Sequence, residues 1–157
     1  MNSEDLVYMD ESGIEESLMR EYARAERGKQ VISEVKGKKT QRTSVIAAWL
    51  PKAKEMIAPY AFNGYTDAVR FNGWLQQCLL PCLREGQVVI MDNAAFHKSK
   101  KTREIIESAG CRLLYQPSYS PDLNPIEQQW AILKRKYRTL KQSGLLHYDA
   151  VNYAFKT

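Results

Sequence analysis

Cysteine and histidine are scarce in this 157-residue chain, with three of the first at 78, 82 and 111 and two of the second at 97 and 147. A zinc module needs four ligands in a recognisable spacing. Cys78 and Cys82 lie one helical turn apart, but neither histidine forms a paired motif with them, which sets zinc aside. Buried free thiols in a reducing cytosol are the reading that remains. Also missing is any apolar run near the roughly 18 residues of a membrane span. The opening MNSEDLVYMD lacks the basic-then-apolar plan of a signal peptide. A soluble, intracellular protein is expected. No internal repeat, low-complexity tract or long linker interrupts the chain. Its length suits one domain that buries most of its apolar surface and is too short for two ordinary ones, so residues 1–157 are read as a single domain.

What the chain does carry is positive charge, +5 in all, with a pI near 9.1. Such a balance favours a polyanionic partner, nucleic acid first. The charge is unevenly placed. Between Lys98 and Lys141 stand ten Lys and Arg against four acids, so this stretch holds an excess of six while the remainder is −1.

Apolar runs mark strands at about 5–10, 43–50, 87–92 and 111–116, with weaker candidates at 30–35 and 55–62. Gly13, Gly28, Gly37, Gly64 and Gly86 punctuate them. Thr66 can cap a helix that runs to about Leu80, where Pro81 ends or kinks it. Ser99 can cap a second helix, closed by Gly110. In a third, Asn124 is the N-cap and Pro125 the first helical residue, and the helix runs to about Lys141. Ile126, Trp130, Leu133, Tyr137 and Leu140 form its apolar stripe, and Glu127, Ala131, Lys134, Arg138 and Lys141 the neighbouring one. Trp49 and Trp74, like Trp130, read as core. The succession suggests an α/β domain, a mixed sheet covered by helices.

Three acids stand out against this frame. Asp10 ends the run LVYMD, Asp92 ends VVIMD, and Glu127 opens the third helix, 35 positions beyond Asp92. Carboxylates at the ends of apolar strands are unfavourable unless positive charge lies against them, and three that converge are what a pair of hard divalent cations requires. A metal-dependent phosphoryl-transfer site follows. Asn124 with Glu127 three positions on is also the pattern of a capping box, which would account for Glu127 but for neither aspartate.

VYMDESG, VIMDNAAFHKSKK and YQPSYSPDLNPIEQQWAILKRK resemble, in order and spacing, the three signature blocks of DDE transposases of the mariner superfamily, in its bacterial insertion-sequence branch. The third block is the most specific and the first the least. The resemblance implies an RNase H-like fold, a five-stranded mixed sheet flanked by helices, with Asp10 on the first strand, Asp92 just after the fourth and Glu127 on a late helix. It further implies excision and integration of a transposon with two Mg²⁺ ions, for which Mn²⁺ can substitute. Asp10 and Asp92 would be shared metal ligands, and Glu127 would hold the second ion. Double-stranded DNA, as transposon ends and target, would be the partner of a homodimer, or of an assembly with a helix-turn-helix-bearing chain, at the bacterial nucleoid.

One departure concerns the start, since Asp10 stands nine residues from Met1 where full-length relatives carry helix-turn-helix domains. The expectation is a catalytic domain without them: half of a split transposase, a truncated copy, or the downstream product of a frameshifted pair. Rival readings are an RNase H-like nuclease that does not join strands, and a non-catalytic partner or inhibitor of an intact transposase. Around the site, Asn93 and His97 are candidates for supporting the ligands or touching DNA. Lys98, Lys100, Lys101 and Arg103, with Lys134, Arg138 and Lys141, are candidates for phosphate contact. Glu11 should point to the face opposite Asp10, and Asp122 shapes the turn before the helix.

Overall fold

The computed structural model of the protein describes residues 5–16, 42–94, 97–117 and 124–156. The weak strand candidate at 30–35, Gly28, Gly37, and Asp122 with its turn lie outside them. Five strands are present among the described residues: β1 (Leu6–Glu15), β2 (Arg42–Leu50), β3 (Glu55–Asn63), β4 (Val88–Met91) and β5 (Arg112–Tyr115). They form one mixed sheet in the order β3-β2-β1-β4-β5. β1, β2 and β3 pair antiparallel, whereas β4 runs parallel to both β1 and β5. The mixed five-stranded sheet expected from the sequence is therefore present.

β1 is longer than its apolar run. The expectation ended it at Asp10, but its pairing with β2 continues to Glu15↔Arg42, which leaves Asp10 within the strand. Gly13 does not break it. A Cβ there would lie 2.5 Å from the Arg42 guanidinium, so glycine is what lets that side chain cross the strand. Between β2 and β3 the register shifts after Ile46, a bulge that puts Ala58 at φ 53°. The Ala58 carbonyl accepts the Trp74 indole N–H at 2.8 Å.

Helix α1 (Ala68–Trp74) is capped by Asp67, not Thr66. Asp67 is extended and its side chain accepts from the Arg70 N–H at 2.8 Å, a geometry one residue further along than expected. The helix then widens into a π turn (Leu75–Leu79) and closes with a 3₁₀ turn holding Pro81 (Leu80–Cys82). In α2 (Lys100–Ser108), Ser99 accepts from the Thr102 N–H at 3.1 Å, and Gly110 at φ 75° carries the chain out in the left-handed region. Both ends are as the sequence indicated.

Helix α3 (Ile126–Gln142) buries Ile126, Trp130, Leu133 and Tyr137 of the expected stripe, with Leu140 only partly buried beside them. A further helix, α4 (His147–Lys156), was not expected. Its short apolar pattern acquires meaning only against α3, where Ala150, Val151 and Ala154 pack.

The sheet separates two apolar clusters. On one face Val7, Met9, Ile46 and Ala48 meet Phe71, Trp74, Leu79, Ile105 and Ile106 of α1, its π turn and α2. On the other, Ile14, Val45 and Ala47 meet α3 and α4. Alternation along β1 places Asp10 with Ile14 on the α3 face. The cysteines are free, as expected, but only Cys111 is buried. Cys82 is exposed at the end of the 3₁₀ turn. Among the described residues, no helix is long and apolar enough to cross a membrane.

Candidate active site

Tyr8 of β1 pairs with Ile90 of β4, so Asp10 and Asp92, each two residues further on, reach the same height on adjacent parallel strands. Neighbouring strands lie about 4.8 Å apart. β1 continues past this level and β4 stops at Met91. Asp10 is consequently buried, at 8 % exposure, whereas the Asp92 side chain is 48 % exposed on the loop that follows.

Glu127 arrives on the first turn of α3. The helix is seated by Asn124, whose side-chain carbonyl accepts from the Ile126 N–H at 3.1 Å while its amide donates to the Met9 carbonyl at 3.5 Å. Asn124 thus caps the helix and ties it to the strand residue beside Asp10. Pro125 is already helical in conformation, at φ −64° and ψ −15°, although the regular bonding begins at Ile126. The Glu127 carboxyl shares a hydrogen bond with that of Asp10. The capping-box residue therefore turns toward the sheet.

The electrostatics record the convergence. Burial pushes the Asp10 carboxyl up to about 8, and the hydrogen bond with Glu127 and the charges of Glu127 and Asp92 act in the same direction; a backbone bond from Glu11 works against them. Asp92 is held below its ordinary value, chiefly by a hydrogen bond from His97 and further by the Ala94 N–H, in spite of partial burial. Trp130, one turn beyond Glu127, donates its indole N–H to Asp10 Oδ2 at 3.3 Å.

Among the described residues, no group of three His, Cys, Asp or Glu side chains already surrounds a common point where a metal ion could sit. Glu127 is turned to Asp10, and Asp92 to His97. The donor set still fits a hard divalent cation, because it consists of carboxylate oxygens whose mutual repulsion positive charge would relieve. The repulsion is the more telling sign, since a change of side-chain rotamer can bring oxygens together but cannot create charges where none exist.

The remaining candidates divide. His97 is buried against Asp92, whereas Asn93 is half-buried beside it. Lys98, Lys100, Lys101 and Arg103 are exposed, with Lys100 paired to Glu104 at 4.0 Å and Arg103 to Glu107 at 3.6 Å. Lys134 and Arg138 are half-buried on α3. Lys141 is drawn into an ion pair with Glu16 at 3.6 Å and is only 15 % exposed. Glu11 faces away from Asp10, into a cavity of about 320 Å³ that Arg42 and Tyr65 also line. Sequence reasoning had given Trp130 and Asn124 only a core and a cap role. The place of Trp130 three positions after Glu127 was the available signal for its part in the site.

A family model described as DDE superfamily endonuclease matches residues 5–144. The transposable element Tc3 transposase of Caenorhabditis elegans is 50 % identical over 44 residues, which are 28 % of this chain and 13 % of that protein's length. Among solved structures, the catalytic core domain of BIV integrase superimposes with a TM-score of 0.59 at 13 % identity, covering 97 % of this chain and 81 % of that one. A chain of the simian T-cell lymphotropic virus intasome in complex with PP2A regulatory subunit B56 gamma gives 0.59 at 12 %, covering 97 % and 47 %. At such identities the likeness speaks for the fold, which is RNase H-like as the sequence resemblance implied.

Proposed function

The chain belongs to the DDE superfamily endonucleases, and on that premise we propose that it is the catalytic domain of a transposase, cutting DNA strands and joining freed 3′ ends to new DNA as an insertion sequence moves. The observation that carries this reading is the effect of Glu127 and Asp92 on Asp10, whose carboxyl is pushed up to about 8 by burial, by its hydrogen bond with Glu127 and by the charges of both acids. These three would hold two Mg²⁺ ions, with Mn²⁺ as a substitute. When bound, paired ions activate the attacking oxygen and neutralise the leaving one in an in-line displacement at phosphorus.

The chain's own residues supply the rest. Asp10, gripped by Trp130 from behind, is the fixed member. Asp92 reaches out from a half-exposed loop, and Glu127 closes the set from a helix whose seat is Asn124. Lys98, Lys100, Lys101 and Arg103 stand on the segment leading away from Asp92 and would hold the phosphates of double-stranded DNA. Two transposon ends must be handled together, so a homodimer, or an assembly with a helix-turn-helix-bearing chain, is the expected working form, at the bacterial nucleoid.

The test is incubation of the protein, joined to end-recognising domains because it is expected to be inactive alone, with supercoiled plasmid carrying transposon ends and Mg²⁺ or Mn²⁺, following nicking and joining. Nicking and joining that need the metal and disappear in Asp92→Asn are expected. Cleavage without joining would identify a nuclease instead, and metal-independent cleavage would overturn the reading.

A further inference from the structure

We propose that His97 is a positioning residue that pins Oδ1 of Asp92, so that Oδ2 is the oxygen this aspartate offers to a cation. The inference rests on the metal-site reading above and adds to it which atom is committed and what commits it. His97 Nδ1 lies 2.7 Å from Asp92 Oδ1 and 3.3 Å from the Asp92 backbone carbonyl. Both neighbours are acceptors, Asp92 being ionised, so Nδ1 must carry the proton and the ring's orientation is fixed by chemistry. Oδ1 also accepts the Ala94 N–H at 3.0 Å. Two donors therefore converge on one oxygen of a carboxylate whose side chain is otherwise half-exposed.

The imidazole can act as a fixed post because it is itself immobilised. Its side chain is wholly buried, and the Phe71 ring lies against it with centroids 4.4 Å apart. The His97 N–H donates to the Ala94 carbonyl at 3.0 Å, and the Tyr115 hydroxyl donates to the His97 carbonyl. His97 is thus held twice, by α1 through Phe71 at its ring and by β5 through Tyr115 at its carbonyl. A ligand held in one rotamer loses less freedom on binding a cation than one that swings in solvent, and removing such a support typically weakens metal affinity about 10–100-fold.

The experiment compares Mn²⁺ affinities by calorimetry for wild type, Asp92→Ala, His97→Phe, His97→Asn and His97→Gln. Phe keeps the packing against Phe71 and removes the donor. The Asn amide nitrogen falls where Nδ1 stands, and that of Gln where Nε2 stands. Loss of about 10–100-fold in His97→Phe and His97→Gln, with recovery to within a few-fold of wild type in His97→Asn, is the expected result. Should His97→Phe fail to fold, the contrast between Asn and Gln decides. A thermal-unfolding cycle of Asp92→Ala with His97→Asn and His97→Gln, run in chelator, reads the hydrogen bond without metal; coupling is expected for Gln, which loses the bond, and not for Asn, which keeps it. If Asp92→Ala abolishes Mn²⁺ binding and the His97 variants do not change it, the positioning role is overturned while the metal site stands. Unchanged affinity in Asp92→Ala overturns the metal-site reading, and this proposal with it.

Discussion

The indole N–H of Trp130 donates to Oδ2 of Asp10 at 3.3 Å, across 120 positions of sequence. One side chain of α3 thereby does two things: it fills the apolar cluster beneath the helix and holds a buried carboxyl in place. Trp130→Phe keeps an aromatic ring but removes the donor and part of the buried indole. It is expected to lower stability by at least about 1 kcal/mol, the usual net worth of such a hydrogen bond, with a further cost for the space left in the cluster. Metal affinity should weaken as well, because Asp10 loses its anchor. Chemical denaturation run beside Mn²⁺ titration checks both, and a variant equal to wild type in each would show the contact to be idle.

Glu127→Gln separates a cap from a ligand. Gln can keep a hydrogen bond to Asp10 and stand in a capping box, but it cannot supply negative charge. The expected outcome is a change in stability within about 1 kcal/mol, the scale of cap effects, together with loss of strand cleavage. Cleavage at the wild-type rate would mean that Glu127 only ends the helix.

Asp10→Asn should act in opposite senses on folding and on metal. Burial and the charges of Glu127 and Asp92 oppose ionised Asp10, and the amide is free of that penalty. The melting temperature measured in chelator is expected to rise, while Mn²⁺ affinity falls. A rise in affinity would be incompatible with Asp10 as a ligand.

His147 ties α4 to the sheet, with Nε2 2.8 Å from the Thr43 hydroxyl and Nδ1 2.7 Å from the Tyr137 hydroxyl. Burial lowers its pKa from 6.5, aided by Lys141 and opposed by Glu16. The unfolded chain therefore takes up a proton at a higher pH than the folded chain does. The stability contributed by neutral His147 is whole above 6.5 and declines as pH falls below that value. Urea unfolding between pH 7.5 and about 5, run in an Asp10→Asn background because the raised Asp10 carboxyl gains stability as pH falls over the same window, should show the decline, and adding His147→Gln should flatten it. An unchanged slope in that variant would place the proton uptake elsewhere.

Lys100 and Lys101 are exposed on α2, whereas Lys141 is engaged with Glu16. Replacing the first two by Gln is expected to weaken DNA binding and to flatten its logarithmic salt dependence by about 0.9 for each phosphate contact removed. Lys141→Gln should leave that slope nearly unchanged. Filter binding at several salt concentrations distinguishes them, and equal effects from all three would return Lys141 to the DNA surface.

The strands, the three principal helices and the identity of the three acids were legible in the chain because each depends on local pattern. An apolar run ending in Asp, a serine or asparagine cap before a helical stripe, and a spacing shared with a family can all be read without coordinates. Other features required the fold. That β1 runs on past Asp10 depends on its pairing with β2, and α4 depends on the surface α3 presents to it. The commitment of His97 to Asp92, of Trp130 to Asp10 and of Lys141 to Glu16 arises because distant segments meet. Side-chain chemistry is local, and so the sequence alone determined which groups could bear charge and hold an ion; which partner each group faces is a matter of distance, and distance is decided by the tertiary structure.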